Sequence, residues 1–329
     1  FSGELNLQVD STSTSYTSTS LIGLSLDLSN VYTAPTTAIL ENTGTITIKR
    51  GNQYGQSGIA MQLDRGSAST IQTGELINSG TINIESSTDT AYGTASGVVG
   101  SVGVFVTVDR IKGPVLVESG NINVSGTGNR AVETGAYIYG SQDYISTKIE
   151  IDGSTGKIII GGKRNTALHL GKSLSEDGTS LANNVNNLDI VLDGESSLAV
   201  VRETTGTVEK TMDLVLDDKL ISSLEFGESS KGSSIFYSYR EGTTIIYSSL
   251  ANSLSAINTG QQNAIALGSN ESTLRNYMPI NIGSGATVMV GLASSGSIEN
   301  YADIENNSSF FLNSYGNGFG GVGLALTYY

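Results

Sequence analysis

Apolar and polar residues alternate over short stretches along much of the chain. Near the start, Leu5, Leu7 and Val9 fall on one side of an extended backbone, with polar residues between them. A period of two residues is typical of a β-strand with one buried face. The pattern returns over residues 24–28, after a Ser/Thr tract at 11–20 that fits a loop and a solvated strand equally well. The alternation predicts a chain built from short strands.

One nine-residue pattern recurs in the first half of the chain. It is clearest at residues 76–84 and is repeated at 40–48, at 116–124 and, more loosely, at 152–160. Its central glycines are Gly44, Gly80, Gly120 and Gly156, separated by 36 (80 − 44), 40 (120 − 80) and 36 (156 − 120) residues. A period of this length indicates a solenoid of stacked repeats.

Each repeat contains three strand-like segments. One precedes the glycine, a second follows it with apolar residues two and four positions later, and a third is a small apolar segment such as residues 58–61. The glycine is expected to supply the positive φ of a tight corner. A sandwich would show hairpins without a constant long period, a WD-type propeller needs tryptophan, which the chain lacks, and leucine-rich repeats need an L-x-x-L-x-L frame. We therefore predict an all-β fold, a right-handed parallel β-helix with loops projecting from its coils.

The whole chain, 1–329, is predicted to be one continuous β-helix segment. Residues 188–193 resemble residues 212–217 at a spacing of 24 (212 − 188), which predicts a coil of 24 residues with little loop. The longer repeats would then carry loops at about 64–73, 99–114, 137–147 and 171–187. Over about 200–255 the pattern weakens, so an irregular, Tyr-rich interruption is expected there before the pattern returns at 263–267.

Composition narrows the classes of partner. The net charge is −14 and the pI is near 4.4, so phosphates would repel the chain, and nucleic acid and anionic membrane surfaces are not expected partners. The absence of cysteine excludes disulfides and thiolate metal sites and suits export of an unfolded chain. No run approaches the roughly 20 apolar residues that span a bilayer, so no membrane insertion of this segment is expected. Because the chain begins at Phe1, without Met or a signal-peptide pattern, a segment of a longer protein is expected.

The unit Asn-[Ser/Thr]-Gly-Thr-Ile-x-Ile, at 42–48 and 78–84, resembles the passenger repeats of autotransporters. These are type V secreted surface proteins of Gram-negative bacteria, and the large fusobacterial-type adhesins are the most similar in their repeats. The resemblance covers residues 36–200 well and 256–329 loosely. It implies export through a C-terminal outer-membrane β-barrel, to which the rod stays tethered, and display at the bacterial cell surface. The chain contains neither the Gly-Asp-Ser-Gly of the protease branch nor an Arg-Gly-Asp tripeptide.

Tyrosine-bearing segments are the main binding candidates, because tyrosine offers rigid, amphipathic contact area at low entropic cost. One segment holds Tyr137, Tyr139, Asp143 and Tyr144, and the other holds Tyr237, Tyr239, Arg240 and Tyr247. The structural alternative is that some of these rings cover the end of the core or stack between coils.

Four aspartates are weaker candidates for a metal or catalytic site. In a 24-residue coil Asp189 would stack over Asp213, and Asp193 over Asp217, about 4.8 Å apart. That spacing suits Ca²⁺ or the carboxylate pair of a glycosidase. However, acids are expected on the polar side of an alternating strand without any function. The only histidine, His169, is expected to be an ordinary strand residue, and no cofactor is predicted.

The sequence therefore predicts a surface adhesin segment that binds a host-cell or bacterial receptor, protein or glycan, through loops on a rod. No enzymatic activity is expected. Two alternatives stay open, a secreted β-helix polysaccharide lyase or hydrolase and a purely structural stalk.

Overall fold

The fold consists of β-strands that pair almost entirely in parallel. The computed structural model describes residues 1–9, 21–27, 37–50, 58–64, 73–86, 100–108, 114–118, 120–136, 150–152, 156–170, 185–186, 188–202, 214–216, 221–238, 242–246, 264–268, 272–277, 280–282, 288–293, 297–306, 311–312, 318–319 and 322–327. Within these residues there are 30 strands and no helix, so none of the described elements is a helix able to cross a membrane. The all-β prediction is confirmed.

Three long sheets hold most of the strands. In spatial order, sheet A contains β1 (Glu4–Val9), β4 (Thr45–Arg50), β7 (Thr81–Ser86), β10 (Asn121–Val124), β13 (Ile158–Ile160), β16 (Leu188–Leu192) and β19 (Ile221–Phe226). Sheet B contains β2 (Leu21–Asp27), β5 (Gly58–Asp64), β8 (Val102–Val108), β11 (Arg130–Ala136), β14 (Thr166–Leu170), β17 (Leu198–Arg202), β20 (Ser234–Ser238), β22 (Ala264–Gly268), β25 (Val288–Ala293) and β30 (Val322–Thr327). Sheet C contains β3 (Thr37–Asn42), β6 (Thr73–Asn78), β9 (Pro114–Glu118), β12 (Glu150–Asp152) and β15 (Val185–Asn186).

The remaining strands lie in smaller groups. Sheet D contains β18 (Leu214–Leu216), β21 (Gly242–Ile246), β23 (Ser272–Asn276) and β26 (Ser297–Asn300). The strand β24 (Ile280–Ile282) pairs in parallel with β27 (Ile304–Asn306). The one antiparallel pairing among the described strands joins β28 (Phe311–Leu312) to β29 (Gly318–Phe319).

The chain passes through the sheets in a fixed order. In five successive triplets, from β3–β5 to β15–β17, a strand of sheet C is followed by one of sheet A and then by one of sheet B. We call each triplet a repeat. The next triplet, β18–β20, replaces sheet C by sheet D, so parallel pairing continues through a segment that the sequence predicts to be irregular.

The predicted period matches the strand register in the first repeats. Ile46 pairs with Ile82, Ile82 with Ile122 and Ile122 with Ile158, at steps of 36 (82 − 46), 40 (122 − 82) and 36 (158 − 122). These steps equal the spacings of the glycines. The glycine pattern therefore marks equivalent positions in successive repeats.

The predicted 24-residue coil is wrong where the sequence placed it. Leu188 pairs with Ile221, a step of 33 (221 − 188), whereas Leu214–Leu216 belongs to sheet D. The two segments look alike because both need the same alternation of apolar and polar residues, which strands of any one-sided sheet share. Steps of 24 do occur nearer the C-terminus, for example between Thr273 and Ser297 (297 − 273).

One predicted loop contains a strand. The strand β8, Val102–Val108, lies inside the stretch 99–114 that the sequence assigns to a loop, and it pairs with both β5 and β11. Its β-branched valines favour extended backbone. The other predicted loops fall largely or wholly outside the described residues.

Sheets A and B share a buried core. The apolar residues two and four positions after each glycine are at most 3% exposed, as predicted, and they are Ile46, Ile48, Ile82, Ile84, Ile122, Val124, Ile158 and Ile160. From sheet B, a Cβ added to Gly103 would lie 3.3 Å from Ile122 Cγ2 and 3.4 Å from Ile84 Cδ1. The backbone of sheet B therefore packs directly on the isoleucines of sheet A.

The reason for the repeat glycines differs from the predicted one. None of Gly44, Gly80, Gly120 and Gly156 has a positive φ. Instead, a Cβ on each would overlap the carbonyl oxygen of the equivalent glycine in the preceding repeat, Gly3 in the case of Gly44. These glycines are required by close approach between repeats.

Positive φ occurs at a second corner, between the strands of sheets A and B. There Gly126, Gly128 and Gly162 have φ of 79°, 72° and 70°, and Arg164 has φ of 54°. A fully buried polar residue ends each of these turns, in the row Ser101, Asn129, Asn165, Ser197 and Ser233. We call this row the polar ladder.

The polar ladder satisfies buried backbone groups. Asn129 Oδ1 accepts a hydrogen bond from Ser101 N at 2.9 Å, and Asn165 Oδ1 accepts one from Asn129 N at 2.7 Å. In turn, Asn165 Nδ2 donates to the carbonyl oxygens of Gly161 and Gly126 at 2.6 and 3.0 Å. Each side chain therefore joins two repeats at a corner that would otherwise bury unpaired backbone groups.

Candidate functional site

Most of the tyrosine candidates lie outside the described residues. This holds for Tyr137, Tyr139, Asp143, Tyr144, Tyr239, Arg240 and Tyr247. The eighth candidate, Tyr237, lies in β20, where it pairs with Val201 on one side and Leu267 on the other. The structure therefore does not bring the eight candidates into one described site.

The predicted ladder of aspartates does not follow the strand pairing. Asp189 lies opposite Ser223, at a step of 34 (223 − 189), and not opposite Asp213. Asp213 and Asp217 are outside the described residues, and they flank a strand of sheet D, whereas Asp189 belongs to sheet A. A shared alternation was mistaken for a shared register, as with the 24-residue coil.

Asp193 has a structural contact instead. Its Oδ1 accepts a hydrogen bond from the backbone N–H of Ser229 at 2.9 Å, in the equivalent turn of the next repeat. His169 is buried in β14, opposite Glu133 of β11. Across the part of the chain that the structure describes, no group of three or more His, Asp or Glu side chains is placed to hold a metal ion.

The described residues contain a different candidate, at the end of two paired strands of sheet D. Arg275 of β23 lies opposite Glu299 of β26, and Tyr277 and Tyr301 stand two residues further along each chain segment. Residues two apart on a strand project from the same face. We call these four residues the tyrosine cluster.

The members of the cluster are in direct contact. The rings of Tyr277 and Tyr301 are parallel, with centroids 4.7 Å apart and an interplanar angle of 6°. Arg275 Nε lies 2.7 Å from Glu299 Oε2, and the Tyr301 hydroxyl donates to the same oxygen at 2.9 Å. One carboxylate oxygen thus ties the guanidinium to the end of a tyrosine ring.

These contacts shift the ionisation of all three polar groups. The hydrogen bond from Arg275 lowers the pKa of Glu299, and the hydrogen bond from Tyr301 adds to this effect. The hydrogen bond to Glu299, followed by its charge, raises the pKa of Tyr301 and of Arg275. Glu299 is therefore ionised and Tyr301 protonated across the neutral range.

The cluster is exposed, unlike the aliphatic core. Tyr301 is 60% exposed and Tyr277 is 40% exposed, and these are two of the largest exposed apolar surfaces on the described residues. Exposed tyrosine beside fixed polar groups is typical of binding surfaces, where ring area and hydrogen-bonding groups act together. The cluster can therefore bind a partner, and it holds no group arranged for bond cleavage.

A sequence signal for the cluster existed. Residues 275–277 are Arg-Asn-Tyr and residues 299–301 are Glu-Asn-Tyr, at a spacing of 24 (301 − 277). In addition, Ile246 pairs with Asn276, and the residue that follows Ile246 is Tyr247. A search for tyrosines at equivalent repeat positions would have found this row.

Comparison with known proteins adds no further information on the site. No protein-family model matches the chain, and neither a curated protein nor a solved structure matches it. The function has to be argued from the strand register and from the tyrosine cluster.

Proposed function

We propose that the chain is one continuous segment of a right-handed parallel β-helix and serves as a bacterial surface adhesin. In this proposal it binds a host-cell or bacterial receptor without catalysis. The observation that carries the proposal is the fixed strand order, in which each repeat adds one strand to each of three parallel sheets. Such an arrangement builds a rod of nearly unlimited length, which is what display at a distance from a cell requires.

The register supports the β-helix. Equivalent positions pair across repeats of 36, 40 and 36 residues without losing their place, so differences in repeat length are absorbed between strands. The polar ladder and the stacked glycines support it further, because both require that each repeat lie directly on the last. Handedness follows the general preference of parallel crossover connections.

The exposed chemistry favours binding over catalysis. Tyr277 and Tyr301 offer aromatic surface beside a fixed ion pair, whereas Asp193 is engaged by a backbone N–H in a turn. The resemblance of residues 42–48 and 78–84 to autotransporter passenger repeats supports a location at the cell surface, tethered to an outer-membrane β-barrel. No cofactor has a part in this proposal.

Adherence of the 329-residue chain to cells tests the proposal. Beads carrying the chain are incubated with fluorescent epithelial cells and with Gram-negative bacteria, and binding is measured against protein density. An unrelated β-rich protein of similar negative charge is the control, because it reproduces non-specific electrostatics. The expected result is saturable binding that free chain competes away. Absence of saturable binding on every cell type would overturn the adhesin and favour a structural stalk.

A panel of bacterial and host polysaccharides tests the enzymatic alternative. The chain is incubated with each polymer, and release of reducing ends or unsaturated sugars is measured. No release is expected. Release that the Asp193→Asn variant abolishes would contradict the non-catalytic assignment.

A further inference from the structure

The geometry points to the tyrosine cluster as a subsite for a neutral hexopyranose unit of a glycan, stacked on Tyr301. This inference rests on the proposed binding function and names the class of ligand and its place on the molecule. It commits to a neutral sugar, in preference to an acidic sugar or a peptide. Ring exposure, hydrogen-bonding capacity and charge carry it separately.

Tyr301 offers the ring surface. One face of its ring stacks on Tyr277, and within the described residues its other contact is the hydrogen bond to Glu299. The strand that leads to it, β26, is the last strand of sheet D, so no further strand of that sheet lies beyond the ring among the described residues. The C–H face of a pyranose is apolar and flat enough to pack on such a ring, as rings in sugar-binding sites require.

The polar groups match the hydroxyls of a sugar. Glu299 uses Oε2 for both Arg275 and Tyr301, and its Oε1 accepts no hydrogen bond from described residues, which leaves an acceptor for a sugar hydroxyl. Arg275 contributes Nε to Glu299, and its two Nη groups stay available as donors. The Tyr301 hydroxyl can accept as well as donate. A donor and several acceptors within a few ångströms suit neighbouring hydroxyls, each of which donates and accepts.

Charge selects among the possible ligands. The chain carries a net charge of −14, and Glu299 adds a fixed negative charge at the site, so an acidic sugar would be repelled. A cationic peptide would meet Arg275, which already occupies the place of a cation beside the carboxylate. A neutral polyhydroxylated ligand avoids both conflicts.

The site is also held in place before any ligand arrives. Glu299 is fixed by two hydrogen bonds, and Tyr301 by the same bond and by its stacked neighbour. All four side chains follow from two paired strands, so little side-chain freedom has to be lost on binding. A single sugar unit is expected to bind weakly, and several units along a glycan would raise the apparent affinity.

Saturation-transfer NMR on the 329-residue chain tests the inference. The probes are methyl α-glucopyranoside, methyl α-galactopyranoside and methyl α-mannopyranoside, with sialic acid and a Lys-containing tripeptide as charged comparisons. At least one neutral probe is expected to receive saturation at C–H protons of one ring face. Tyr301→Ala should weaken its binding about tenfold or more. Tyr301→Phe keeps the ring and should retain most of the affinity.

Further variants separate the subsite from general stickiness. Glu299→Gln should weaken binding about three- to tenfold, because a hydrogen bond to a charged acceptor is exchanged for one to a neutral amide. Phe1→Ala is the matched control, since Phe1 is also an exposed aromatic residue, at 42%, and lies on sheet-A residues far from sheet D in the strand order. That variant should bind as the wild type does. Circular dichroism confirms that each variant keeps its strands.

Several outcomes would overturn the inference. These are no binding of any neutral probe, equal binding by Tyr301→Ala, and preferential binding of sialic acid or of the tripeptide. Cell adherence distinguishes this failure from failure of the proposed function. Adherence that survives both Tyr301→Ala and enzymatic removal of cell-surface glycans would overturn the sugar subsite and leave the adhesin intact, whereas loss on either treatment supports the subsite.

Discussion

At the scale of single residues, the stacked glycines set how closely two repeats can approach. Gly80 lies over Gly44, and Gly120 over Gly80, with no room for a Cβ between one residue and the carbonyl oxygen of the next. Backbone hydrogen bonds reinforce the contact, for example from Thr81 N to Gly44 O at 2.9 Å. A side chain there would have to push apart two paired sheets.

Substitution of Gly80 by alanine is expected to lower the free energy of unfolding by about 3 kcal/mol or more, because the new methyl group overlaps backbone that cannot move alone. Gly3 is the matched control. It occupies the equivalent corner below Gly44, yet a Cβ there would meet the Phe1 ring at 3.6 Å, an ordinary contact. Gly3→Ala should change stability by less than about 0.5 kcal/mol. Urea unfolding followed by circular dichroism measures both, and equal effects would contradict the stacking explanation.

The sequence identified these glycines but not their role. A constant spacing reveals that Gly44, Gly80 and Gly120 are equivalent, but it cannot distinguish a glycine that needs positive φ from one that needs space. The positive-φ positions, such as Gly128 and Arg164, were not singled out at all. Arg164 shows why, since a turn can hold a residue other than glycine at φ of 54° and thereby hide the pattern.

At the scale of elements, the polar ladder fixes the corner between sheets A and B. Asn165 reaches three backbone groups, which belong to Asn129, Gly126 and Gly161. It is completely buried, so water cannot replace these contacts if the side chain is removed. The corner therefore depends on the amide more than on its size.

Asn165→Ala is expected to destabilise the fold by about 3 kcal/mol, since it leaves buried backbone donors and acceptors unpaired. Asn165→Ser should lose about half as much, because Ser197 and Ser233 occupy the same row naturally. Asn123→Ala is the control. Asn123 also bonds across a repeat, to Asn83 Oδ1 at 2.9 Å, but it is half-buried and bonds another side chain, so about 1 kcal/mol or less is expected. Thermal or urea unfolding gives the order, and a larger loss for Asn123→Ala would refute it.

The tyrosine cluster is the second element-scale feature, and it predicts a pH dependence. Glu299 has a lowered pKa, so its contribution is present at neutral pH and is lost as the pH falls below the ordinary carboxyl range through the folded value. Tyr301 has a raised pKa, so its contribution is present below the ordinary tyrosine pKa and is lost as the pH rises through the folded value. The ion pair and the ring contact are both intact between these limits.

Glu299→Gln is expected to return the pKa of Tyr301 toward the ordinary tyrosine value, because the substitution removes both the charge and the strong acceptor. Tyrosine Cζ signals followed by NMR between about pH 8 and pH 12 measure this shift. The Tyr301→Phe variant assigns the signal, and tyrosines outside the cluster serve as internal controls. A Tyr301 titration that is unchanged in Glu299→Gln would show that the hydroxyl does not contact Glu299 in solution.

The cluster escaped prediction because it depends on register between two particular strands. Individually, Tyr277 and Tyr301 are unremarkable residues in a chain with 15 tyrosines. Their relation appears only when Arg275 is known to pair with Glu299, and the sequence had placed its 24-residue step at Leu188 instead. Local alternation predicts strands well, but the choice of partner is set by packing at a distance.

At the scale of the whole molecule, register is kept while repeat length varies. From sheet A to the next strand of sheet A the step is 40 between Ile82 and Ile122 (122 − 82), yet in sheet B it is 28 between Val102 and Arg130 (130 − 102). The segments between strands absorb these differences. Stability should therefore depend on where a deletion begins and ends, more than on how many residues it removes.

Three deletions test this dependence. Removing residues 81–120 (120 − 80 = 40) joins Gly80 to Asn121, the partner position of Thr81, and removes one strand from each of sheets A, B and C. Removing residues 101–128 (128 − 100 = 28) joins Gly100 to Asn129 and does the same, because Asn129 is the ladder residue equivalent to Ser101. Removing residues 81–108 also deletes 28 residues (108 − 80) but takes β7 and β8 and leaves β9, so two strands of sheet C would follow each other.

The two in-register deletions are expected to fold with an unchanged circular dichroism signal per residue and to unfold cooperatively. The out-of-register deletion of 28 residues should show a weaker β signal and faster proteolysis than the in-register deletion of the same length, because every strand on one side of the junction is displaced from its partner sheet. Since both chains lose equal mass, a difference between them isolates register from size. Equal folding of the two 28-residue deletions would show that the repeats are not locked to one another, and would count against a β-helix in which each coil is the template for the next.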